Sequence, residues 1–187
     1  MAELGGAPRG LFVESTTALV VIDAQKNMFD PRNPVASADA MLERLTALVA
    51  RARMAGMLVV FVRNCGGPAD PDQRGTPGWD LQPPLEPGEG DLVLDKTTSN
   101  AFESTRLGEA LAARGITKVV IAGLQSDFCV RATAHGAMAH GLGVTLVSDA
   151  HSTYPGGGRS AAEIIATVNA DFADRARLIT AEKLKFH

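Results

Sequence analysis

Three side chains able to do chemistry stand at or just beyond the ends of apolar runs in this sequence. Asp23 closes ALVVID (18–23), Lys96 closes DLVLDK (91–96), and Cys129 follows KVVIAG (118–123) within GLQSDFCVRATAHGA (123–137). A thiol, a carboxylate and an ammonium suffice for attack on a carbonyl carbon. The sulfur is the nucleophile, the carboxylate carries its proton, and the cation holds the charged groups in place. Each residue taken alone has a plainer reading. A free cysteine commonly packs as a small hydrophobe, an aspartate at a strand end satisfies loop amides, and a lysine is ordinarily solvated. Only joint placement makes them a site. The segment DFCVRATAHGAMAHG (127–141) reads as a helix, so Cys129 is expected on its first turn, where unpaired amide N–H groups favour a thiolate.

Joint placement needs a sheet, and the hydrophobic pattern supplies one. ALVVID is a continuous apolar run, the profile of a parallel strand buried on both faces. ADAMLERLTALVARARMAG (38–56) spaces its apolar residues three and four apart and closes on Gly56, so a helix follows. MLVVFVR (57–63) completes a right-handed βαβ unit. Further strands are expected at 91–96, 118–123, 143–149 and, briefly, RLITA (177–181), with helices at 104–115, 127–141 and 160–176. This alternation predicts an α/β fold: a three-layer α/β/α sandwich around a mainly parallel, Rossmann-like six-stranded sheet, in one domain spanning 1–187. Ligands of such sheets gather at the carboxyl ends of the strands. Asp23, Lys96 and Cys129 therefore converge if the first, third and fourth strands lie near one another.

Composition narrows the functions. The chain has 187 residues, 45% of them apolar, and 18 basic against 21 acidic side chains give a net charge of −3. No basic stripe is present, so nucleic acid is not an expected partner, while a small molecule is. The apolar runs are strand-sized, too short to span a bilayer, and MAELGGAPRGLFVEST has no long apolar core of a leader. Two cysteines, Cys65 and Cys129, fit a reducing compartment, and a cytoplasmic location is expected. Residues 64–90 form a long Pro- and Gly-rich excursion containing Trp79, the only tryptophan. It is expected either to line the active site or to lie as a plain surface loop.

The quoted segments, with VVIDAQKNMF (20–29), GDLVLDKTTSNAFESTRL (90–107) and VTLVSDAHST (144–153), resemble the isochorismatase-like cysteine hydrolases, whose relatives include nicotinamidases and N-carbamoylsarcosine amidases. The resemblance runs from about 17 to 180. It implies a catalytic triad of Asp23, Lys96 and Cys129. It also implies a cis peptide at Leu124–Gln125 and an oxyanion hole made by the backbone N–H groups of Gln125 and Cys129. The activity implied is cleavage of an amide, ureido or carbamoyl C–N bond of a small molecule through a thioester. By the same analogy the chain is expected to form a homodimer or homotetramer. Gln25, Phe29, Trp79 and Phe128 are candidate substrate contacts, and each is also readable as a packing or loop-ordering residue.

The sequence departs from the nicotinamidase pattern. The excursion after the second strand carries Asp70 and Asp72 but no histidine; His135, His140, His151 and His187 all follow Cys129. Zinc and iron sites draw on imidazole or thiolate, so no metal and no cofactor are expected; the DPD turn reads as a solvated acidic turn, with a hard-cation site as its alternative. RGTPGWDLQPPLEPGEGD (74–91) resembles the metal-free amidohydrolases of the family. Arg63 and Arg74 are candidate partners for a substrate carboxylate, or else anchors for the loop. Two alternative functions remain: vinyl-ether hydrolysis of the isochorismatase type, and non-catalytic binding of a small molecule. HSTYPGGGRSAAE (151–163) lacks the lysine and spacing of a phosphate loop and is expected to form a rim or a subunit contact.

Overall fold

The computed structural model describes residues 16–186. His187 and the stretch read above for a leader, apart from Thr16, lie outside the described residues. Six strands form one sheet: β1 (Thr17–Ile22), β2 (Leu58–Asn64), β3 (Leu92–Lys96), β4 (Lys118–Leu124), β5 (Gly143–Ser152) and β6 (Arg177–Ile179), in the order β3-β2-β1-β4-β5-β6. Every pairing is parallel, where the sequence pattern implied mainly so.

The continuous apolar runs are explained by burial on both faces. Leu19, Val21, Val59 and Phe61 pack with Met41, Leu45 and Leu48 of α1 (Ala38–Met54). Ala18, Val20, Ile22, Val60 and Val62 pack on the opposite face, with Leu107 and Leu111 of α3 (Leu107–Ala112), Ala134 and Ala137 of α4 (Arg131–Ala139), and Val168 and Phe172 of α5 (Ala161–Phe172). This is the three-layer α/β/α sandwich. Burial of each of the Val, Leu, Ile, Met and Phe side chains contributes on the order of 2 kcal/mol. The start of α5 is fixed by a reciprocal cap, in which Ser160 and Glu163 each bond the other's backbone N–H.

The chain steps outward from β1 through β2 to β3, then restarts beside β1 at β4 and steps the other way. The reversal leaves a crevice at the carboxyl ends of β1 and β4. Gly123 makes the close approach possible. It pairs with Ile22 at a φ of 128°, and a Cβ there would collide with the Ile22 backbone.

Four elements differ from the sequence pattern by three residues or more. The helix expected at 104–115 is two pieces, α2 (Ala101–Ser104) and α3, because Thr105 is extended and its hydroxyl takes over the bonding: Oγ1 donates to Ala101 O and accepts from Leu107 N. The helix expected from 127 opens with one π-helical turn, Ser126–Val130, and α4 starts at Arg131. Strand β5 runs three residues past the expected end, to Ser152. Helix α5 stops at Phe172, and 173–176 turn the chain into β6. No helix among the described residues is long and apolar enough to cross a membrane.

Candidate active site

Asp23, Lys96 and Cys129 meet at the crevice. Strand β2 lies between β1 and β3, so the third strand is not adjacent to the first, and Lys96 reaches across the end of β2. Its Nζ stands 2.9 Å from Asp23 Oδ2, 3.0 Å from Asn64 Oδ1 and 3.2 Å from Cys129 Sγ. Asp23 follows β1 in a left-handed conformation (φ 48°), with its N–H donated to Val62 O at 2.8 Å. Both Asp23 and Lys96 are fully buried, against the solvated lysine that residue type alone suggests.

Charge balance governs this cluster. Burial pushes the Asp23 carboxyl above its ordinary value, with Lys96 opposing and Asp72 adding to the rise. The buried Asp23 carboxylate faces the Lys96 ammonium as an ion pair and the Cys129 thiol as a second neighbour able to donate to it. Burial depresses the Lys96 ammonium, but Asp23 and Cys129 outweigh it and leave it above its usual value. Burial, then the Asp23 charge, pushes the Cys129 thiol up to about 12, despite Lys96. That direction favours the thiol, against the thiolate that a helix start predicts. One ammonium supports one anion, and the second site keeps its proton.

Cys129 is half-buried within the π-helical turn, and the Leu124–Gln125 peptide is cis. Phe128 N and Val130 N both donate to Gln125 O, which closes the turn. Its far side is fastened to β5. Thr153 Oγ1 donates to Asp127 Oδ1 at 2.7 Å, and the buried Ser126 Oγ lies 2.8 Å from His151 Nδ1. Asn169 Nδ2 donates to Ser148 O, so its Oδ1 accepts from His151 Nε2 at 3.0 Å. His151 then carries its proton on Nε2, and Nδ1 accepts from Ser126. Burial holds His151 below its usual value, which keeps it neutral.

The excursion at 64–90 is tied to the site from within. Gln25 is fully buried; its Oε1 accepts from Asn64 N at 2.7 Å, and its Nε2 donates to Asn64 O at 2.9 Å and Trp79 O at 3.0 Å. Its amide is fully used, so it fastens the loop instead of facing a ligand. Trp79 lies under Arg63, whose guanidinium carbon is 3.7 Å from the ring centroid, with Arg74 at 5.5 Å. Trp79 Nε1 donates to Cys65 Sγ at 3.2 Å. Arg63 and Arg74 both pair with Asp95, at 2.8 and 2.9 Å. Their charges are thus shared with a protein carboxylate, which is the loop-anchoring alternative for both.

Phe128, 57% exposed, adjoins Cys129, whereas half-buried Phe29 lines a 620 Å³ cavity with Pro31, Pro34 and Gln82 whose lining includes none of Asp23, Lys96 and Cys129. Two site residues escaped the sequence reading. Asn64 ends β2 in register with Lys96, and Asp72, far from solvated, is buried with Oδ2 accepting from Asn64 Nδ2 at 2.7 Å. A polar residue ending a buried strand was the available signal for Asn64; none marked Asp72. Among the described residues no group of three His, Cys, Asp or Glu is placed to hold a metal ion.

Comparison with known proteins follows the same lines. A streptothricin hydrolase from Streptomyces noursei is 40% identical over 148 residues, which are 79% of this chain and 59% of that protein. A second, from the same organism, is 43% identical over 73% of this chain and 50% of its own length. The chain thus spans little more than half of these relatives. The ureidoacrylate amidohydrolase RutB of Klebsiella pneumoniae is 29% identical over 87% of this chain and 85% of its own. Among solved structures, an isochorismatase from Pseudomonas putida superposes with a TM-score of 0.84 at 29% identity, covering 90% of each chain. N-carbamoylsarcosine amidase from Thermoplasma acidophilum gives 0.78 at 28% identity, over 90% of this chain and 98% of that one. Residues 17–176 match the isochorismatase domain, and with that match the chain belongs to the isochorismatase family.

Proposed function

We propose that this protein is a cysteine-dependent hydrolase that cleaves an amide, ureido or carbamoyl C–N bond of a small molecule through a thioester. The observation that carries this reading is the Lys96 ammonium within 3.2 Å of the Cys129 sulfur, the Asp23 carboxylate and Asn64. The names of relatives support it: an amidohydrolase, an amidase and two hydrolases.

The thiol proton passes to Asp23 as the sulfur bonds the substrate carbonyl carbon. A carboxylate raised by burial is a better base for a thiol raised by the same burial, and the nearby ammonium offsets the single negative charge throughout. The tetrahedral oxyanion is received by the backbone N–H groups of Gln125 and Cys129, each such donor contributing about 3 kcal/mol in sites of this type. The intermediate collapses, the C–N bond breaks, and Asp23 returns its proton to the leaving nitrogen. Water then gives a proton to Asp23 as its oxygen attacks the thioester. The acid leaves, and the proton returns to the sulfur. Phe128 walls the substrate in this scheme.

A panel of primary amides, ureido acids and N-carbamoyl amino acids, assayed for ammonia or amine release, tests the proposal. Cys129→Ala, Asp23→Asn and Lys96→Ala each abolish release. Normal release by folded Cys129→Ala defeats the thioester route. Isochorismate turnover that survives Cys129→Ala but not Asp23→Asn instead selects vinyl-ether cleavage. Both cysteines are free thiols, which suits a reducing cytoplasm. The protein is a homodimer or homotetramer in this reading, and its sedimentation tests that state.

A further inference from the structure

The acidic DPD turn has a use that its sequence did not show. We propose that Asp72 is a positioning residue, acting through Asn64 to hold the Lys96 ammonium between Asp23 and Cys129. Its catalytic meaning rests on the function proposed above; its geometry does not.

The inference follows from which atoms can donate. A side-chain amide has one accepting end and one donating end. Asn64 Nδ2 donates to Asp72 Oδ2 at 2.7 Å, which leaves Oδ1 to accept from Lys96 Nζ at 3.0 Å. Flipping the amide would set Nδ2 against the ammonium, donor against donor. The Asp72 oxygen that accepts from Nδ2 opposes that flip, which would set the Asn64 oxygen against it, acceptor to acceptor. The Asn64 backbone cannot adjust either, since Gln25 bonds both its N–H and its carbonyl.

Asp72 is itself seated. It is buried, its carbonyl accepts from Gly66 N at 3.1 Å, and a Cβ at Gly66 would collide with Asp72 Oδ1. The charged and titratable groups around Lys96 are then Asp23 from β1, Cys129 from the nucleophile turn, and Asp72 behind Asn64. Asp70, in the same turn as Asp72, is spent on Gly67 N at 2.7 Å. One end of the 64–90 loop is thereby wired to the lysine.

Alkylation of Cys129 by iodoacetamide, followed by peptide mass spectrometry at one mildly alkaline pH, reads this without any substrate. Cys65, in the same loop, is the internal control. Losing a hydrogen bond to a charged group, Asn64→Ala slows Cys129 alkylation about tenfold, as does Asp72→Ala. Because one acts through the other, the double variant is no slower than Asn64→Ala alone. Asp72→Asn, which keeps an acceptor for Nδ2, recovers most of the rate. Cys65 keeps its native rate in all of them. The proposal is overturned if Asp72→Ala matches the native rate, if the double variant shows the product of the two losses, if Asp72→Asn is as slow as Asp72→Ala, or if Cys65 changes in parallel. Should Asp72→Ala not fold, Asp72→Ser, too short to reach Asn64, completes the same cycle. If the cycle holds while the amide panel gives no turnover, the positioning stands and the hydrolase reading falls. If the panel gives turnover while the cycle fails, the hydrolase stands and the positioning role falls.

Discussion

Cys129 Sγ stands 3.2 Å from Lys96 Nζ, yet its thiol is pushed up to about 12. Burial and the Asp23 carboxylate together outweigh the lysine. In the proposed mechanism the cluster is therefore a proton-sharing pair with a fixed counter-ion, and not a preformed thiolate. Asp23 is the switch in that arrangement.

Asp23→Asn removes the competing charge while keeping the shape. The thiolate then faces the ammonium alone, and the pH midpoint of Cys129 alkylation falls below that of the native protein. Alkylation at neutral pH accelerates although turnover is lost. Lys96→Ala moves the midpoint the opposite way. Initial alkylation rates across a pH series check both directions, and an unchanged midpoint in Asp23→Asn contradicts the assignment.

Removing Lys96 also strands a buried carboxylate. Breaking such a pair costs about 3 kcal/mol or more, so Lys96→Met lowers stability in urea at neutral pH. Asp23 is already raised above its ordinary value in the folded state. A group raised this way favours folding below its unfolded value, and that contribution is lost as pH rises through the folded one. Without the lysine the rise is larger. The gap between Lys96→Met and native protein therefore narrows on acidification, as Asp23 takes up its proton. A gap independent of pH counts against the buried ion pair.

Gln25 fastens the 64–90 loop through three hydrogen bonds to Asn64 and Trp79. Gln25→Ala leaves buried backbone groups unpaired and costs about 2 kcal/mol. The loop opens before the sheet does, so limited proteolysis nicks the variant within 64–90 ahead of any other site. Cleavage elsewhere first would deny Gln25 this role.

Gly66→Ala tests the seat of Asp72. The added methyl takes the space of Asp72 Oδ1, and Asp72 is displaced from Asn64. The variant should show the slow Cys129 alkylation of Asp72→Ala with its secondary structure intact, as read by circular dichroism.

Much of this architecture was legible in the sequence because strands buried on both faces leave unbroken apolar runs. ALVVID and KVVIAG could be placed directly, and their ends point to the site. What could not be read depended on lateral neighbours. Nothing local tells that β2 lies between Asp23 and Lys96, so Asn64 looked like the first residue of a loop. Asp72 looks like any turn acid until Asn64 is beside it. The break at Thr105 rests on a hydroxyl that replaces backbone bonds, and the π-helical turn at Cys129 leaves the same apolar spacing as an ordinary helix start. Gln25 and Trp79, candidate substrate contacts by sequence, turn their polar groups inward to the loop.

The most direct measurement weighs the intact protein during reaction. Mixed with an amide, ureido acid or N-carbamoyl compound that it turns over, and quenched in acid, native protein should gain the mass of the acyl fragment, with the adduct mapping to Cys129 and absent from Cys129→Ala. Release of ammonia or amine with no adduct, persisting in Cys129→Ala, would contradict a covalent role for this sulfur.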